Sequence, residues 1–265
     1  MRATSEEQQR RRPRMLTLYS KFIRAGDLVF DVGANHGDRS QLFLDLGARV
    51  VAVEPQPHCA EIMRRRFRAD PRIDVLEAAL DERQGNASIR LSDNDLVSSM
   101  SQQWIDRVRS CGRFDDSRWQ EEMEVPTITM DALIARYGLP RFTKIDTEGY
   151  ELQVFKGLSD PLPALSFEYT PEYIEPAVGS LRLLSALGSY LFNLSVGESM
   201  ELGLPQYVQM ESLASCLEAL AEQRGQEESG DVYAVLEQRQ DRNGRGTRHE
   251  KRGRERIEDP VVKHP

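Results

Sequence analysis

Apolar positions along the chain fall into two kinds of run, and their alternation sets the expected fold. The stretches "LVFDVG", "ARVVAVEPQP", "IDVLEAAL", "RFTKID" and "LPALSFEY" are apolar runs of strand length without the every-second-residue polarity of a half-exposed strand. Strands written this way are covered on both faces, as in a parallel sheet packed between helices. Between them lie segments with helical spacing: "DRSQLFLDLG", closed by Gly47, then "HCAEIMRRRF", the second half of "EVPTITMDALIARYG", and "ELQVFKGL". Leu16, Tyr19, Phe22 and Ile23 repeat that spacing and predict a short amphipathic helix from about Met15. Late in the chain "SYLFNLSV" and "GDVYAVLEQ" read as a final strand pair around the helix-like "SLASCLEALAEQ".

Seven strands with interleaved helices predict an α/β, doubly wound sheet in one domain over residues 15–240. Such sheets hold ligands beyond the carboxyl ends of their strands, near the point where strand order reverses. The rhythm breaks after Leu80, where "GNASIRLS" alternates like a hairpin strand and the polar residues 92–123 carry Trp104 and Trp119. This insertion, about 82–130, is the natural place for acceptor recognition, since Trp stacks on sugars and flat apolar rings. The blander expectation is that each Trp anchors the insertion to the core.

The two ends have no such pattern. Residues 1–14 are expected to be a disordered basic arm and 241–265 a disordered charged tail, with too few apolar side chains to offset ordering entropy. The formal charge of −8 is the sum of +3 in residues 1–14, +4 in 238–265 and −15 in the body between them. An acidic body disfavours nonspecific nucleic-acid binding, so no nucleic-acid partner is expected. Cys59, Cys111 and Cys216 are odd in number, widely separated and form no CxxC pair, which argues against a disulfide framework or zinc knuckle and fits a reducing, cytoplasmic setting. No run reaches the roughly 18–20 apolar residues of a membrane span. A homodimer is left open.

Candidate chemistry gathers at the strand ends. In "VFDVGANHGDRS", counting Gly33 as the first glycine of a G-x-G-x-x-G fingerprint puts Asn35 and Asp38 where glycines should stand. An aspartate at the helix start would repel a diphosphate. The G-x-x-x-G loop from Gly33 to Gly37 suits an adenosine-bearing ligand with a cationic end and no diphosphate, and S-adenosylmethionine (SAM) is that ligand. Glu54 ends the second strand 21 residues beyond Gly33, where an acid accepts from ribose hydroxyls.

These blocks carry a family resemblance. "VFDVGANHGDRSQLFLDLGARVVAVEPQP" with "KIDTEGYELQVFKGL" resembles the FkbM family of SAM-dependent methyltransferases, and the likeness extends over roughly residues 20–237. It implies the class I methyltransferase (Rossmann-like) fold, mostly parallel with an antiparallel last strand. It also implies methyl transfer to a hydroxyl of a small natural product, sugar or glycan. Carried over residue by residue, the cofactor set is Asp31, Gly33, Asn35, Gly37 and Glu54. Asp81 is added as the side chain after the third strand able to accept from the adenine amino group.

A hydroxyl nucleophile must lose a proton, and "KIDTEGYE" brings Asp146, Glu148 and Glu151 to one strand-to-helix turn with Lys144 before them. Asp146 is the expected general base and Glu148 the second choice, although Glu148 and Glu151 also suit capping of the following helix. Lys144 is expected to join the catalytic set or to pair with the acids and hold their geometry. Asp146 with Glu168 offers two hard-oxygen ligands, too few to assign a metal. His36 is discounted as a loop residue and His58 as a polar helix-start residue. A nicotinamide oxidoreductase would keep the β-α-β unit but require a diphosphate-tolerant loop. The third reading is a noncatalytic interaction module on the same fold.

Overall fold

The computed structural model describes residues 5–197, 199–222 and 228–237. In chain order the elements are α1 (Ser5–Tyr19), β1 (Leu28–Val32), α2 (Asp38–Asp45), β2 (Arg49–Val53), α3 (Pro57–Arg66), β3 (Ile73–Leu76), β4 (Ala79–Leu80) and β5 (Gly85–Ser92). There follow α4 (Gln102–Ser110), β6 (Trp119–Ile128), α5 (Met130–Tyr137), β7 (Phe142–Ile145) and α6 (Glu151–Lys156). The chain continues with β8 (Ala164–Tyr169), α7 (Ile174–Leu187), β9 (Tyr190–Val196), α8 (Met210–Glu222) and β10 (Gly230–Leu236).

The main sheet has seven strands in the order β3-β2-β1-β7-β8-β10-β9. β1 pairs in parallel with β2 on one side and β7 on the other, so strand order reverses between β1 and β7. β10 runs antiparallel to both β8 and β9. This is the class I methyltransferase arrangement expected from the sequence, and both faces of the sheet are buried as the continuous apolar runs required. Phe30, Val32, Val53, Ile145 and Phe167 pack with Leu133, Phe155, Leu181 and Leu217 of α5, α6, α7 and α8. On the opposite face Val29, Val50 and Phe142 pack with Tyr19, Phe43 and Met63 of α1, α2 and α3.

Two elements depart from expectation. The run "IDVLEAAL" divides, because β2 ends at Val53 and leaves nothing to pair beyond Leu76. Ala79 and Leu80 instead join a second sheet of order β4-β6-β5, paired with Thr127 and Ile128. At the N-terminus α1 begins at Ser5, ten residues before Met15, through a stretch of Glu, Gln and Arg that favour helix. Arg12 ties it to the body through Asp45 at 2.5 Å. Residues 1–4 and the expected tail over 241–265 lie outside the described residues.

The insertion folds onto the domain through Trp104, as the blander expectation had it, whereas Trp119 bonds within the insertion. Trp104 is buried and donates from Nε1 to Thr170 Oγ1 at 2.9 Å, while Trp119 Nε1 donates to the Val97 carbonyl at 2.7 Å. Among the described residues no helix is long and apolar enough to cross a membrane.

Candidate functional site

A cleft opens where strand order reverses, at the carboxyl ends of β1, β2 and β7. Val32, Gly33 and Asn35 form one wall, Val53 to Gln56 a second, and Asp146, Thr147, Glu148 and Tyr150 a third. Ala78, Ala79 and Leu80 supply an apolar side. The insertion closes the cleft from above with Asp95, Leu96, Ser98 and Met100. Sequence reasoning missed these last residues and Gln56, and no local pattern marks them.

The glycine loop is fixed by backbone contacts. Gly33 has φ +76°, and a side chain there would overlap the carbonyl oxygen of Asp146. Only glycine lets the ends of β1 and β7 approach this closely. Asn35 also sits at positive φ, +48°, a conformation Asn tolerates better than most residues. Its amide donates to Glu54 Oε2 at 2.8 Å, and its side chain donates to the Asp95 carbonyl at 3.0 Å.

Glu54 is almost fully buried in the cleft wall. Its second oxygen accepts from the Gln56 amide at 2.9 Å, so one carboxylate joins the loops after β1 and β2. Burial pushes its pKa up to about 7, against the opposing hydrogen bonds from Gln56 and Asn35. A carboxylate has about four lone-pair positions, and these two bonds leave acceptor capacity for a ligand.

Across the cleft, oxygens of Asp146, Glu148 and Glu168 lie within 4.8 Å of one another. Lys144, buried beneath them, donates to Asp146 Oδ2 at 3.1 Å and to Asp231 Oδ1 at 2.9 Å. Burial raises the Asp146 pKa, but the Lys144 charge and hydrogen bond outweigh it and hold the group below the usual range. Burial, then the charges of Asp146 and Glu151, raise Glu148 well above the carboxylate range. Glu168 is raised in the same way by burial, then by Glu148 and Asp146, and its Oε2 is buried without a hydrogen-bond partner among the described residues. The cluster therefore sets one carboxyl of lowered pKa, Asp146, beside two of raised pKa. Glu148 takes the left-handed conformation at φ +53°, and its carbonyl accepts from Ser99 Oγ at 2.6 Å. Gly149 follows at φ +83° with the Trp104 ring where a side chain would be. The insertion thus holds the turn that presents Glu148.

The other expected site residues stand outside the cleft wall. Asp31 accepts from Ser40 Oγ at 2.6 Å on the α2 side of the sheet, because it alternates with Phe30 and Val32. Gly37 turns the chain into α2 against the Phe67 ring. Asp81 reaches the cleft only through Tyr150, whose hydroxyl donates to Asp81 Oδ1 at 3.1 Å. Lys144 lies below the floor. Glu151 accepts from the amides of Thr147 (2.9 Å) and Gly149 (3.3 Å), so it ties together the turn that leads into α6. The discounted His36 and His58 come together with Asp95 in a second group whose ligand atoms lie within 4.8 Å of one another.

The family model described as Methyltransferase FkbM domain matches residues 31–190. The chloroplastic ribosomal RNA small subunit methyltransferase of Arabidopsis thaliana is 31% identical over 55 residues, 21% of this chain. The chain thus spans only 16% of the length of that curated relative. Among solved structures, a precorrin-6Y C5,15-methyltransferase from Geobacter metallireducens aligns over 85% of this chain and 87% of its own, with 10% identity and TM-score 0.43. An O-methyltransferase from Bacillus cereus in complex with SAH aligns over 86% and 81%, with 13% identity and TM-score 0.40. A TehB-like SAM-dependent methyltransferase from Corynebacterium glutamicum aligns over 84% and 88%, with 9% identity and TM-score 0.44.

Proposed function

The chain belongs to the FkbM methyltransferase domain family, and from that premise we propose that it is a SAM-dependent O-methyltransferase acting on a hydroxyl of a small natural product, sugar or glycan. The observation that carries the cofactor assignment is the buried Glu54 carboxylate, held by two loop amides in the lining of the cleft. It suits the paired hydroxyls of a ribose. Val53, Ala79 and Leu80 offer apolar surface for adenine, with Tyr150 and Asp81 beside them. Gly33 and Asn35 shape the side nearest Asp146, where negative charge favours a cationic methionine end.

SAM supplies a methyl group activated by its sulfonium. The chain then has to place the acceptor oxygen in line and take its proton. Asp146 is the carboxylate kept ionised at neutral pH, and it faces the cleft beside Glu148. We assign the proton to Asp146, with Glu148 as the second candidate. Lys144 is a positioning residue that fixes Asp146 from below. The body's charge of −15 supports an uncharged or cationic acceptor over a nucleic acid.

The test is incubation with methyl-labelled SAM and a panel of hydroxylated glycans and polyketide alcohols, followed by mass and NMR identification of the product. Label in an O-methyl ether supports the proposal. Label on nitrogen or carbon would overturn it.

A further inference from the structure

We propose that His36, His58 and Asp95 form a binding site for a divalent transition metal of the zinc class, placed to latch the insertion onto the glycine loop. The three residues come from separate segments: the loop after β1, the first turn of α3 and the short 3-10 turn Asp95–Val97 of the insertion. Their ligand atoms nevertheless all lie within 4.8 Å of one another. His36 Nε2 stands 3.3 Å from Asp95 Oδ2. Two ligands of a tetrahedral zinc with bonds of about 2.0–2.1 Å are separated by roughly that length. The two imidazoles stand nearly perpendicular, at 82° with centroids 6.4 Å apart, so they converge without stacking.

A second observation is that, among the described residues, His36 Nε2 is buried and makes no contact of hydrogen-bond geometry beyond its 3.3 Å approach to Asp95. Leaving such an atom unsatisfied is costly, and a metal bond satisfies it. A simple His–Asp ion pair would account for two of the three residues but not for His58. Both carrier loops are held independently of any metal. The His36 carbonyl accepts from Arg66 Nη1 at 2.9 Å, and the Asp95 carbonyl accepts from Asn35 Nδ2 at 3.0 Å and Gln56 Nε2 at 3.1 Å.

Two imidazoles and one carboxylate select zinc, cobalt or nickel over magnesium or calcium, and leave a fourth position for water. Asp95 also lines the cleft described above, so a metal here would pin the segment that closes it. The inference does not depend on the reaction assigned to that cleft.

Equilibrium dialysis of the full chain against Zn2+, with Co2+ absorption as a second readout, tests the site. The expected result is one tightly bound equivalent and the visible bands of imidazole-ligated Co2+. Both His58→Ala and Asp95→Asn should weaken binding by roughly tenfold or more, since losing a direct ligand costs at least what losing its hydrogen-bonded support does. His58 is exposed, so its variant should fold, and the Asp95 anchoring bonds use its carbonyl, which asparagine keeps. No bound equivalent, or Zn2+ affinity unchanged in the two variants, would overturn the proposal.

Discussion

Gly33 and Asp146 meet backbone to backbone, with the Asp146 carbonyl occupying the space that any side chain at Gly33 would need. One contact therefore sets the glycine loop and the acid cluster at a fixed separation. Gly33→Ala must relieve both the overlap and a φ of +76°. Strain of this kind costs roughly 1–3 kcal/mol before any repacking. The melting temperature should fall, and SAM affinity should fall with it as Asp146 is displaced. A variant with unchanged melting and unchanged affinity would show that the contact does not organise the site.

The cofactor affinity should depend on pH through Glu54. Its pKa stands near 7 in the free protein, and ribose hydroxyls donate to the ionised form. Affinity should therefore rise as pH increases from 6 to 8, and Glu54→Gln should flatten the curve. Calorimetric titrations across that range check both. A slope retained in Glu54→Gln would assign the dependence to another group.

The free protein should be more stable in mild acid than above neutrality. Burial raises Asp31 to about 6, Glu54 to about 7 and Glu151 to about 7. A raised folded-state pKa means that folding favours the protonated form. That stability is fully present below the unfolded pKa values and is lost as pH rises through the folded ones. Shifts of this size correspond to about 3 kcal/mol per group. Asp146, shifted the other way, matters only in stronger acid. Thermal unfolding without ligand should give a higher midpoint at pH 5.5 than at pH 8, and the reverse order would contradict these environments.

Asp146→Asn should separate chemistry from binding. It keeps the size of the side chain and leaves Lys144 paired with Asp231. Losing a general base lowers turnover by roughly a hundred- to ten-thousandfold. SAM affinity should change by no more than a few fold, and Glu148→Gln should give a smaller loss of turnover. Equal losses of affinity and turnover in Asp146→Asn would make it a binding residue.

The sheet was legible because strands buried on both faces are written as unbroken apolar runs, as in Val50 to Val53. The glycine loop itself was legible, because Asn35 and Asp38 stand where a dinucleotide fingerprint has glycines. Asp31 was assigned to the cofactor, yet strand alternation already placed it opposite Val32, away from the cleft. The roof of the cleft was not legible. Asn35 and Gln56 reach Asp95 across 60 and 39 residues, and nothing local signals contacts of that range. The same holds for Lys144, whose partner Asp231 lies 87 residues on. Ala79 and Leu80 are too short a strand for any period to reveal which sheet they join.

The central claim is that the wall formed by Gly33, Asn35 and Glu54 holds the adenosyl part of SAM. Calorimetric titration of the wild type and Glu54→Ala with S-adenosylhomocysteine, with NAD as a parallel ligand, tests it most directly. The wild type should bind the adenosyl compound and not NAD. The variant should stay folded and bind roughly tenfold or more weakly, the cost of losing charged hydrogen bonds to a ribose. Equal affinity in the two proteins, or binding of NAD alone, would contradict the claim.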